Sequence, residues 1–123
     1  MGFREQLEGL VNSVDGAVAA SVMGMDGIAI DTVEASASDD LLEIDIQTLL
    51  VEYTAILSQL VQAGEVLETG GLKQLAVETE RLLTLSRRLT DEYYAVLAVL
   101  PDANYGKARY KLRIASSMLA AEL

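Results

Sequence analysis

The feature that most constrains this chain is a stretch of roughly six helical turns between Ile44 and Leu67. Ile46, Leu49, Leu50, Tyr53, Ile56, Leu57, Leu60, Val61, Gly64 and Leu67 keep helical period without interruption, and Gly70-Gly71 ends the run. Val51, Ala55, Ala63 and Val66 then widen the apolar arc well past what a surface helix resting on one neighbour needs. Such a helix is too apolar for one sheet face alone, and a second burial surface is implied. The fold must supply a layer for one side of it.

The rest of the chain supplies that layer as strands. Phe3, Leu7, Leu10, Val11 and Val14 fall at steps of three and four, which predicts an amphipathic helix stopped by Asp15-Gly16. Ala17 to Met23 and Ile28 to Val33 are small, apolar or β-branched, and Met25-Asp26-Gly27 between them carries tight-turn chemistry, so a hairpin is expected. Glu34 to Glu43, with its Ala-Ser-Ala-Ser-Asp-Asp tract, reads as a loop and helix cap ahead of the long helix. Beyond Gly71, three strand-like runs follow: Leu72 to Glu78, Arg81 to Leu89 and Tyr93 to Leu100. The last is almost continuously apolar, as a strand covered on both faces is, and is expected at the centre of the sheet. Pro101-Asp102-Ala103-Asn104 offers a breaker and two capping candidates before helical spacing resumes from Tyr105 to Leu123. The expected order is αββαβββα in a single domain spanning residues 1–123, an α+β chain without internal repeat or linker.

Composition narrows the chemistry. The chain has no cysteine and no histidine, which removes disulfides, thiolate nucleophiles, Cys/His zinc sites and the serine-histidine triad. Nineteen acidic against nine basic residues give a formal charge of −10, unfavourable for nucleic acid and for anionic lipid surfaces. The N-terminal Met-Gly-Phe-Arg-Glu-Gln-Leu-Glu has neither a signal-peptide pattern nor a long apolar run, so no membrane insertion and a cytoplasmic location are expected. Gln6 stands where a myristoylation signal wants Ser or Thr.

Few residues invite a catalytic reading, and no catalytic, cofactor-binding or metal-binding residue is expected. Glu78 and Glu80 are two apart but lack a nucleophile or apolar cleft, so they read as a solvated turn. Lys107, Arg109, Lys111 and Arg113 form the one basic concentration. At helical spacing Arg109 and Arg113 share one side and Lys107 and Lys111 another, and the first reading is that they neutralise acidic residues and keep this helix soluble; docking of an acidic partner is the other. The long helix is the better site, with Glu52, Gln59, Gln62 and Glu65 rimming an apolar seam of Tyr53, Ile56, Leu57 and Leu60. Asp26-Gly27 and Gly70-Gly71 are read as turns, and Gly106 as a close approach of the last helix to its neighbour.

The hairpin from Gly16 to Ile30, the long helix, Leu72-Lys-Gln-Leu-Ala-Val-Glu-Thr-Glu, and the ending from Tyr94 through Pro101, Asn104, Gly106 and Arg109 together resemble the roadblock family of dynein light chains and bacterial MglB-like proteins. The resemblance spans nearly the whole chain. It implies a five-stranded antiparallel sheet with the long central helix on one face and the terminal helices on the other. It also implies a homodimer, or a heterodimer with another roadblock-type chain, in which Leu72 to Glu78 pairs with its twin and the long helices lie side by side. Leu72, Gln74, Leu75 and Val77, with Leu49, Tyr53, Ile56, Leu57 and Leu60, would then form the interface, and Glu52, Gln59, Gln62 and Glu65 would face a Ras-like small GTPase. Such platforms can accelerate GTP hydrolysis through the GTPase's own residues, so Arg81, Arg87 and Arg88 are not expected to act as an arginine finger. A scaffold or adaptor subunit that touches no GTPase, and a small-molecule sensor of PAS or profilin-like type, stay open as alternatives.

Overall fold

The computed structural model describes residues 2–35 and 44–123. Helix α1 (Phe3–Ser13) leads into strands β1 (Ala17–Gly24) and β2 (Ala29–Glu34), then α2 (Ile46–Leu67), strands β3 (Gln74–Glu78), β4 (Leu83–Arg88) and β5 (Tyr93–Val99), and α3 (Tyr105–Ala121). The five strands form one antiparallel sheet in the order β2-β1-β5-β4-β3. The expected αββαβββα order and the central place of the Tyr93 to Leu100 run are both met. The Ser36 to Glu43 part of the expected loop lies outside the described residues.

The sheet is covered on both sides, as the apolar strands require. Leu7, Leu10 and Val11 of α1 and Ala108, Leu112 and Leu119 of α3 pack against one face, on Val22, Leu85, Leu97 and Val99. Ile46 and Leu50 of α2 pack on the other, against Val18, Ala19, Met23, Val96 and Ala98. Val18 and Ala19 reach the same face although adjacent in sequence, because the register with β5 shifts between Ala17 and Ala19. Strand β5 is buried from Tyr94 to Val99, so its alternate residues feed two different cores.

The two outer strands meet solvent differently. The Ala35 N–H bonds to the Val18 carbonyl (2.8 Å), and antiparallel alternation then turns the backbone groups of Thr32 away from β1. Both are occupied: the Asp31 carboxylate accepts from the Thr32 N–H (2.8 Å), and the Arg4 guanidinium donates to the Thr32 carbonyl (3.3 Å) while gripping Asp31 (2.8 Å). Helix α1 thus clamps the β2 edge. No equivalent side chain occupies the β3 edge among the described residues.

Candidate interaction surface

Helix α2 is held at both ends by local chemistry. Asp45 caps its start, accepting from the Thr48 N–H (3.3 Å) and hydroxyl (2.9 Å). The hydroxyl bond first, then the backbone bond, lowers the Asp45 pKa below its ordinary 3.8. At the other end Glu68 takes a left-handed conformation (φ 58°), and the Thr69 N–H closes on the Gly64 carbonyl (3.0 Å). Gly64 is required there: a Cβ at this position would lie 2.6 Å from the Gly70 carbonyl oxygen. The helix end is therefore pressed against the loop that returns to β3.

Only a narrow arc of α2 is buried, carried by Ile46, Leu50, Thr54 and Leu57, and the Thr54 hydroxyl is satisfied by the Leu50 carbonyl (2.8 Å). Beside that arc runs an apolar stripe that none of the described residues covers. Leu49 and Tyr53 are half-buried, Ile56 is 43% exposed, Leu60 37% and Leu67 70%. These residues recur every three or four positions and share one side of the helix. Val51 and Val66 lie exposed on the far flank. This is the second burial surface that the sequence demanded.

The stripe adjoins the open sheet edge. The Arg88 N–H bonds to the Lys73 carbonyl (2.9 Å) and the Thr79 N–H to the Leu82 carbonyl (2.9 Å), so the odd-numbered residues of this segment face β4. By alternation, the backbone groups of Gln74, Ala76 and Glu78 point outward. Between this edge and α2 lies a groove of about 570 Å³, bordered by Leu60, Ala63 and Leu67 on the helix and by Leu72 and Gln74 on the strand side. Two buttresses fix the strand's approach. The Tyr94 hydroxyl donates to the Leu72 carbonyl (3.1 Å), and Arg88, paired with Asp91 (2.7 Å), lies against Gly71. Burial raises the Tyr94 pKa, with Arg88 opposing.

The structure sorts the residues named from sequence. Leu49, Tyr53, Ile56 and Leu60 lie together on the stripe, and Leu72, Gln74, Leu75 and Val77 are half-buried along the edge strand. Leu57 does not join them: it is 1% exposed, beneath the helix and out of reach of any second chain. Glu52, Gln59, Gln62 and Glu65 are all exposed but spread over roughly 140° of helix arc, with Glu52 and Gln59 beside the stripe and Gln62 and Glu65 on the far flank. Glu78 and Glu80 are exposed at a strand end and turn. Gly106 makes no close approach, since a Cβ there would meet only the Asn104 side chain at 3.6 Å. The neutralising reading of the basic quartet finds no described ion pair to rest on. Among the described residues no carboxylate pairs with Lys107, Arg109, Lys111 or Arg113. The sequence shows Gly64 only as a helical position and Tyr94 only as part of the last strand; their roles depend on contacts with chain six and 22 residues away.

No family model matches the chain, and no curated protein matches it in sequence. Solved structures do. MglC from Myxococcus xanthus is 44% identical, with all of each chain covered and a TM-score of 0.72. A Roadblock/LC7 domain from Streptomyces avermitilis has a TM-score of 0.82 over 98% of this chain and 97% of that one, at 14% identity. An MglB with a tetrameric arrangement has a TM-score of 0.85 over 97% and 85%, at 18% identity. The latter two likenesses are of fold alone.

Proposed function

Given that this chain belongs to the roadblock family, with the MglB- and MglC-like proteins, we propose that it pairs with a second copy, or with another roadblock-type chain, and presents the joined surface to a Ras-like GTPase. The observation that carries this reading is the meeting of two incomplete surfaces at one groove: the uncovered stripe of α2 and the open edge of β3. Each is costly to leave exposed, the stripe as apolar area in water and the edge as a template for unwanted pairing. A single symmetric partner covers both.

Symmetry restricts how the edges join. A two-fold pairing must place outward backbone groups opposite outward groups. Of the registers that do so, the one centred on Ala76 pairs every residue of β3, setting Gln74 opposite Glu78 and Leu75 opposite Val77. The two α2 stripes then approach side by side. Glu52 and Gln59 rim the joined apolar seam, and with Gln62 and Glu65 they form the polar border on which a GTPase docks. The role is recognition, and hydrolysis chemistry stays with the GTPase.

The test is the solution mass by light scattering of wild type and of Leu60→Glu, followed by gel filtration with Ras-like GTPases of the same genome loaded with a GTP analogue. A wild-type dimer that the variant dissolves, and a GTPase that co-elutes with the dimer alone, support the proposal. A monomeric wild type refutes the pairing. A dimer that retains no GTPase in either nucleotide state reduces the function to a scaffold.

A further inference from the structure

The face of the molecule opposite α2 carries a second feature, which borders the proposed pairing edge at Gln74. Helix α3 contains four basic residues and no acid from Tyr105 to Ala121, in a chain of net charge −10. Its spacing sets Arg109 and Arg113 on one side, and the fold brings a third guanidinium to them. Arg87 of β4, held by the Gln74 side chain (3.0 Å), shares with them a groove of about 480 Å³ between the sheet and α3. Tyr105, Gly106 and Tyr110 complete its described lining, and among the described residues no carboxylate contributes to it.

The arrangement is improbable as mere solubility. Acids outnumber bases about two to one, so guanidiniums placed at random would find carboxylates, as Arg4 and Arg88 do. Among the described residues Arg87, Arg109 and Arg113 have none. Three like charges gathered without a counter-charge from the described residues of their own protomer raise the energy of the empty groove, which falls when an anionic group enters. The groove is not only polar. The Arg113 guanidinium lies over the Tyr110 ring (5.8 Å to its centre), and Tyr110, Ile114 and Met118 continue as an exposed apolar line along the outer side of α3, 45% to 52% exposed. Tyrosine and arginine around an apolar line is the composition of protein-recognition sites.

We propose that this groove and the outer side of α3 bind an acidic amphipathic peptide segment of a partner protein. Its carboxylates are received by Arg87, Arg109 and Arg113, and its apolar side chains lie along Tyr110, Ile114 and Met118. The strongly negative remainder of the molecule disfavours an anionic membrane as occupant, because lipid headgroups extend past the groove and meet that charge, while a peptide segment ends within it.

The test uses the full chain and a fluorescein-labelled peptide of about a dozen residues with Glu and Leu at helical amphipathic spacing, beside its Gln-for-Glu counterpart, by anisotropy at low salt. The Glu peptide is expected to bind wild type, to weaken at least tenfold on raising salt and in the Arg109→Gln/Arg113→Gln double variant, and the Gln peptide to bind neither. Both substituted side chains are exposed, so the variant keeps its fold, as circular dichroism will verify. Equal binding of the two peptides, or none to wild type, overturns the proposal. So does complete displacement by millimolar inorganic phosphate, which marks a small-anion site, or tighter arginine-dependent binding to phosphatidylglycerol vesicles. Binding to a Glu78→Gln variant and not to wild type also overturns it, because the second copy's carboxylate then fills the groove.

Discussion

The Tyr94 hydroxyl donates to the Leu72 carbonyl across 22 residues of chain (3.1 Å), tying the middle strand of the sheet to the segment that delivers the outermost one. Tyr94→Phe removes this bond and leaves a carbonyl short of a partner. Urea unfolding should show a loss of about 1 kcal/mol. Light scattering should show a larger fractional loss of dimer, because the edge strand is then less firmly presented. Burial raises the folded-state pKa of this phenol, so its stabilisation is complete below the unfolded value and is lost as pH rises through the folded one. Tyr94→Phe should therefore flatten the alkaline limb of the stability profile.

Leu57 and Leu60 separate folding from association. Leu57→Ala empties a buried site and should cost about 2–5 kcal/mol in denaturant unfolding. Leu60→Glu puts a charge on a side chain already 37% exposed, and should leave the monomer's melting curve nearly unchanged while abolishing the dimer. If both variants lose the same stability, α2 is seated differently from the structure described.

Proline distinguishes the two sides of β3. At Val77 it deletes a donor that faces β4 and should unfold or fray the edge strand, visible as lost amide protection in β4. At Ala76 the donor faces outward, so Ala76→Pro should preserve the protomer and dissolve the dimer. Equal damage from both substitutions would refute the alternation inferred from the Lys73 and Thr79 bonds.

Gly64→Ala runs against helix propensity. In an open helix interior alanine stabilises by about 1 kcal/mol over glycine. Here its Cβ would meet the Gly70 carbonyl oxygen at 2.6 Å, so the loop must shift. Thermal melts should show net destabilisation.

Asp45 gives α2 an acid-sensitive start. Its depressed pKa means that the capping contribution is present above the unfolded value near 3.8 and is lost as pH falls through the folded one. Amide protection factors in the first turn of α2, which are exchange rates referred to the intrinsic rate at each pH, should fall on acidification in wild type and should be low at every pH in Asp45→Ala.

Much of the architecture was legible because its signals are local. The period of α2, the unbroken apolar run of β5 and the Asn104 cap, which accepts from the Lys107 N–H (3.0 Å), need only neighbouring residues to be read. The excess apolar arc of α2 likewise announced a second contact. What local pattern cannot supply is which part of that arc turns inward. Ile56 and Leu57 are adjacent and equally apolar, and only the seating of the helix on Val96 and Ala98 sends one to solvent and the other to the core. The basic quartet is similar. Its division into two sides follows from spacing, but the arrival of Arg87 beside Arg109 and Arg113 depends on how α3 crosses β4. Asp45 is inconspicuous as a cap because the Ser-rich tract before it offers several candidates, in residues 36–43 that lie outside those described.

The Arg4 and Asp31 clamp sets a ceiling on growth. A sheet with two free ends could add protomers indefinitely and become a fibre. Here the backbone of Thr32 on the β2 side is already satisfied from within, which leaves β3 the more open of the two edges. In the proposed pair the β3 edges meet at the centre and each outer margin is a β2 strand clamped at Thr32, which opposes further growth through strand edges. Loosening the clamp, as in Arg4→Ala, would convert a chain terminator into a monomer for polymerisation.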